Sequence, residues 1–136
     1  MKINSKIFLI ILSVAFIYGC TKDVDIRNLD ISKLGYKLPN YTYLCMPTKK
    51  ERCPANGAAC EEITPYVFWA YDQTKGIIYR CGNKCTAYKD KDNKGYLSPD
   101  DTEGLFMFSI LGETFEEHWY AGMGYGFNTY GTCSKK

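Results

Sequence analysis

Seven cysteines carry most of the chemistry open to this 136-residue chain. Cys20 stands apart from the rest: it ends Ile17-Tyr18-Gly19-Cys20, directly after an apolar run and ahead of the first acidic residue, Asp23. The other six are Cys45, Cys53, Cys60, Cys81, Cys85 and Cys133. An even number of cysteines in an exported domain reads as a disulfide framework. The expected pairing has two local bridges, Cys53–Cys60 and Cys81–Cys85, with Cys45–Cys133 joining the ends of the domain. Cysteines that flank a three-residue hairpin loop, as Cys81 and Cys85 do, can face one another across a ladder. Zinc would need a second paired motif or a well-placed His beside Cys81-Gly82-Asn83-Lys84-Cys85, and the chain offers neither.

The single histidine, His118, lies in Glu116-Glu117-His118-Trp119. In a strand, Glu116 and His118 share one face and Glu117 and Trp119 the other. Adjacent carboxylates on opposite faces cannot flank one glycosidic bond, and no Ser, Thr or Cys elbow is placed to pair with the histidine. The chain has no phosphate-binding Gly loop and no HExxH motif. No catalytic residue is assigned, no cofactor is implied, and the expectation is a protein that is not an enzyme.

The elements that would position these residues are short strands. Tyr41–Cys45 reads as a first strand ended by Pro47, and 49–60 as loop, since its Pro, Asn and Gly favour turns. Pro65–Asp72 is apolar and aromatic almost throughout, which suits a strand covered on both faces. Ile77–Cys81 and Cys85–Lys89 follow as hairpin partners, then Leu105–Ile110, Thr114–Ala121 and Tyr125–Cys133. Turn signals every 8–12 residues or so and the lack of a helical period point to an all-β fold. We expect a small, disulfide-stapled antiparallel sandwich or barrel of about six to eight strands. The domain would span 41–133, after a tether that ends at residue 40 and before a tail (134–136). The stapled 49–60 loop is the expected contact region, because long ordered loops are often functional.

Two stretches resemble known families. Lys2 and Lys6, the run Ile7–Tyr18, and Ile17, Gly19 and Cys20 resemble the signal peptide and lipobox of bacterial lipoproteins, with Tyr18 standing where that family usually has a small residue. The apolar run is too short to cross a bilayer core that needs about 20 residues. The resemblance implies a signal segment over 1–19, cleavage before Cys20, and a lipidated cysteine with its tether over 20–40, with palmitate among the expected chains, giving a membrane anchor. Thr21, where an Asp would favour the inner membrane, implies an outer-membrane address facing the periplasm. Asp90–Asp101 resembles an EF-hand calcium loop at Asp90, Asp92, Gly95, Leu97 and Asp101. It departs from that family at Lys94, which stands where an oxygen ligand belongs, and at Asp101, which replaces the bidentate Glu. Asp90, Asp92 and Asp101 are thus the calcium candidates, and no metal is otherwise expected.

Charge narrows the partners. Lys2 and Lys6 account for the formal charge of +2, and the remaining chain carries 15 basic and 15 acidic residues. No basic excess is left to attract nucleic acid. Aromatic residues make up 15% of the chain, 12 of them Tyr, which suits both strands and a contact face for an envelope protein or glycan. The expected role is a lipid-anchored envelope binding or structural module. The alternative is a periplasmic inhibitor or immunity protein acting on an envelope-directed enzyme such as lysozyme. In general build the chain is similar to the periplasmic lysozyme inhibitors, but it lacks that family's Ser-Gly-x-x-Tyr stretch.

Overall fold

The computed structural model describes residue 27, residues 29–122 and residues 124–136. The apolar run and Cys20 lie outside the described residues. Nine strands form one antiparallel sheet: β1 (Tyr43–Pro54), β2 (Glu61–Ile63), β3 (Phe68–Asp72), β4 (Ile77–Cys81), β5 (Cys85–Lys89), β6 (Tyr96–Leu97), β7 (Phe106–Leu111), β8 (Thr114–Ala121) and β9 (Tyr125–Lys135). Their order is β5-β4-β3-β1-β9-β8-β7-β6, with β2 paired to the far half of β1. The sheet curls into a nearly closed barrel. Its two end strands, β5 and β6, both touch a 3₁₀ turn at Pro99–Thr102.

The barrel is all-β as the turn spacing implied, but β1 is longer than its sequence suggests. Pro47 does not end it, and Lys49–Pro54, expected as loop, is strand. The register with β9 shifts between Pro47 and Lys49, so Thr48 is the extra residue of a bulge. A proline lacks the N–H a ladder needs, and a bulge is one of the few places in a sheet that tolerates it. The expected tail is likewise strand. Lys135 pairs with Tyr43, and the Lys136 N–H donates to the Thr42 carbonyl at 2.9 Å.

The bulge also reverses the inward phase of β1. Before it, Tyr43 and Cys45 pack into the interior. After it, Lys50 stands opposite Thr129, and Arg52 opposite Phe127. Reading across β1, β9, β8 and β7, the inward rows are Pro47–Gly131–Phe115–Ile110, then Lys50–Thr129–Glu117–Phe108, then Arg52–Phe127–Trp119–Phe106. On the other wall, Cys45, Trp69, Arg80 and Thr86 form one row. Trp69 stacks on Phe108 at 4.2 Å and meets Phe106 edge-on at 5.4 Å, which ties the two walls together.

The outer face of β1, β3 and β4 is covered too. Leu29, Ile31, Leu34, Leu38 and Tyr41 pack over Leu44, Phe68, Ala70 and Cys81. Much of the span expected to be tether is therefore part of the domain. It also explains how all five residues of β3 are buried. The Tyr36 hydroxyl fixes this strap by donating to the Gly82 carbonyl at 2.7 Å.

Three disulfides join Cys45 to Cys133, Cys53 to Cys60 and Cys81 to Cys85. Cys45 and Cys133 stand directly opposite, and the Cys133 N–H is turned away from β1 to the Glu113 carbonyl. They therefore occupy a non-hydrogen-bonded pair, where facing side chains come closest. The Cys45–Cys133 bridge spans 88 residues of chain. Closing a loop of that length contributes about 4–5 kcal/mol on the entropic account.

Gly131 is where the wall is tightest. A Cβ there would lie 2.7 Å from Pro47 Cα, 2.5 Å from Phe115 Cε1 and closer still to the Met46 carbonyl oxygen. Gly131→Ala should cost about 3 kcal/mol or more, because backbone and an aromatic ring would both have to move. Gly35→Ala, with nothing within 4 Å, is the control. Urea denaturation of both oxidised variants checks this, and equal midpoints would refute it.

Candidate functional site

The strongest concentration of chemistry is inside the barrel. Lys50 and Glu117 are each only 1% exposed and flank buried Thr129 in one inward row. Two strand spacings separate them, about 10 Å between backbones. Arg80 crosses from β4 on the opposite wall and donates from Nε to Glu117 Oε1 at 3.1 Å. Its guanidinium carbon lies 4.7 Å from the Trp119 ring centroid, 5.7 Å from Trp69 and 5.8 Å from Phe106. Aromatic faces are negative at the centre and so hold the cation in place. The Lys50 ammonium lies 3.7 Å from the Tyr66 ring centroid and 5.1 Å from that of Phe127. Among the described residues it forms no ion pair with a carboxylate.

This layer is incompletely satisfied. Trp69 Nε1 and Glu117 Oε2 are the buried side-chain polar atoms with no hydrogen-bond partner among the described residues. Each such atom typically costs about 1–3 kcal/mol. Both belong to residues in contact with Arg80. On one side the layer gives way to a mouth where Trp119, Tyr125 and Phe127 are half-buried and Tyr66 is exposed. The β1–β2 hairpin tip stands beside this mouth. Its residues 55–60 are exposed, and it is pinned by Cys53–Cys60 and by the Arg52–Glu61 ion pair. A separate cleft of about 380 Å³ follows the β5 seam, between Ala87–Lys89 and Asp101–Glu103.

The residues singled out in the sequence take other roles. His118 faces outward with Glu116: its Nδ1 lies 2.8 Å from Asn128 Oδ1 and its Nε2 3.5 Å from Glu116 Oε2. Its two ring nitrogens are thus accounted for by an amide and a carboxylate. The calcium candidates do not converge. Asp90 is buried, and its Oδ2 accepts from the Gly95 N–H at 2.7 Å and lies 2.9 Å from the Tyr71 hydroxyl. That hydroxyl is pushed above the ordinary phenol range, first by burial and then by the Asp90 carboxylate. Asp101 accepts from the Ser98 N–H and hydroxyl and pairs with Lys91 at 2.8 Å, while Asp92 is exposed. Asp90 and Asp101 therefore build the turns of this loop. Among the described residues, the ligand-type atoms close enough to share an ion belong to Glu51, Cys53 and Cys60, and the two sulfurs are bonded to each other.

Arg80, Glu117 and Lys50 were not visible as a site beforehand. Glu117 was placed on the face opposite His118, but nothing in the sequence pointed β4's arginine at it. The parity of Lys50 depended on an unforeseen bulge. No family model matches the chain, and no curated protein or solved structure shows significant similarity to it.

The Asp101 carboxyl is held down at about 2, by Lys91 first and Ser98 next, against an ordinary 3.8. A group depressed on folding stabilises the fold above its unfolded value and loses that contribution as the pH falls through its folded value. Asp101→Asn should therefore be less stable than the parent at pH 7, with the gap closing between pH 4 and pH 2. Urea midpoints across that window test this; a gap of constant size would disprove it.

Proposed function

We propose that this chain is a lipid-anchored, exported binding module of a bacterial cell envelope, not an enzyme, with the barrel mouth and its stapled hairpin tip as the contact surface. One observation carries most of the weight. Six of the seven cysteines pair among themselves in the described domain. The seventh, Cys20, is left over at the end of an apolar run, in the setting of a lipobox. An oxidised domain suits an exported protein. A cysteine outside the framework suits acylation, and several chains on one residue anchor firmly where a single chain does not. An outer-membrane position facing the periplasm agrees with Thr21. Exposed Tyr66 and Tyr120 supply rigid, amphipathic area for an envelope protein or glycan.

A second reading, an inhibitor of an envelope-directed hydrolase, draws on the hairpin tip. A projecting loop pinned by a disulfide and an ion pair loses little freedom on binding. Recombinant domain assayed against a panel of muramidases should slow at least one of them if this reading holds. Unchanged rates throughout would remove it.

The anchor itself is tested by Cys20→Ser. The parent should incorporate labelled palmitate and partition into the detergent phase. The variant should do neither, yet show no free thiols in its domain. Retention of the variant in the membrane fraction would overturn the proposal.

A further inference from the structure

We infer that the Arg80–Lys50 layer receives a carboxylate from a ligand that enters through the barrel mouth. The inference deepens the binding-module reading by naming what the module binds. Of the five N–H donors of a guanidinium, Arg80 gives the one on Nε to Glu117. The terminal nitrogens make no hydrogen bond to the described residues, and the side chain is 18% exposed. Three aromatic faces and Glu117 fix the plane of this fork before any ligand arrives. A fixed guanidinium with its paired terminal donors open matches a carboxylate bidentately.

Charge balance selects the ligand's valence. Among the described residues the layer holds two cations, Lys50 and Arg80, against one carboxylate, Glu117, and Lys50 meets the faces of Tyr66 and Phe127 without an ion pair. A monoanion neutralises that excess, whereas a phosphate dianion overshoots it beside Glu117. Half-buried Trp119 and exposed Tyr66 offer flat apolar surface to the rest of the ligand. Trp69 Nε1, a donor from which a carboxylate can accept, and Glu117 Oε2, an acceptor open to a hydroxyl or amide N–H of the same ligand, are buried without partners among the described residues and lie around this same arginine. An interior built for stability alone would have satisfied or replaced them.

The carboxylate could come from an acidic sugar or an acidic side chain, and the test separates the two. Both tryptophans of the chain, Trp69 and Trp119, lie against Arg80, so their emission reports on this site. The full oxidised domain would be titrated with N-acetylmuramic acid and with the α-amide of N-acetylglutamate, each of which carries a single carboxylate. Their neutral counterparts are N-acetylglucosamine and the α-amide of N-acetylglutamine, and inorganic phosphate at pH 8 is the dianion comparator. At least one carboxylate should give a saturable change, and which one does so identifies the source; the neutral compounds and phosphate should not. Arg80→Lys keeps the charge but loses the fork, and should weaken binding about tenfold. Glu117→Gln can still accept from Arg80 and removes the opposing charge, so it should tighten binding; it keeps the test decisive should the arginine variant fail to fold. No saturable change with either carboxylate, equal response to the neutral compounds, or a Glu117→Gln variant that binds no more tightly would overturn the inference. Any of these would leave the membrane partition of Cys20→Ser untouched, so the two proposals fail separately.

Discussion

The pairing of β1 with β9 determines the rest of the barrel, and its decisive feature is the extra residue at Thr48. Along a strand, side chains alternate between faces, so one inserted residue exchanges inside for outside over everything beyond it. Without the bulge, Lys49, Glu51 and Cys53 would point inward and Lys50 outward. With it, Cys53 is free to pair with Cys60 across the hairpin tip, and Lys50 enters the interior opposite Thr129. Gly131 makes the bulge possible, because Pro47 and Met46 approach its backbone closer than any side chain allows.

The interior is layered in consequence. Phe115 and Ile110 fill the row beside Gly131, and Trp119, Phe127 and Phe106 fill the row towards the mouth. Between them sits the layer of Lys50, Glu117 and Arg80. Breaking a buried ion pair from one side usually costs about 3–5 kcal/mol, while replacing both members by apolar residues can be neutral or better. A small barrel that retains such a layer, with two polar atoms still unpartnered, holds something that packing alone does not require. The binding proposed above would account for it, since the aromatic rings position the cations without neutralising them.

The legible part of this fold was what depends on local pattern. The hairpin from Ile77 through Lys89, the strand at Thr114–Ala121 and the opposite faces of Glu116 and Glu117 follow from period-two alternation and short turns. The joining of the six cysteines reflects loop length and position along the chain. What escaped was non-local. Pro47 looks like a terminator unless one knows that β9 lies beside it and accommodates a bulge. Lys135 looks like a tail unless Tyr43 is its neighbour. Arg80 is an ordinary strand arginine until the barrel closes and brings Glu117 to it from 37 residues away. Asp90 and Asp101 resembled metal ligands because the same oxygen-rich turn residues also cap turns by accepting backbone N–H groups.

The strap across β1, β3 and β4 links the anchor to the mouth. Leu29 through Tyr41 lie on the barrel, and Arg27 reaches Glu62 of β2 at 3.8 Å. β2 pairs with Lys50–Arg52, the part of β1 that leads to the mouth. The chain therefore leaves the domain towards its mouth end. Seven residue steps separate Cys20 from Arg27, and a fully extended chain of that length spans at most about 25 Å. If Cys20 carries lipid as proposed, Arg27 lies within that reach of the bilayer surface, and the domain cannot roam the periplasm. A ligand for it would then be met close to the membrane. A soluble acidic solute would gain nothing from this placement, whereas an acidic group on a large, slowly diffusing envelope component would be held at high effective concentration.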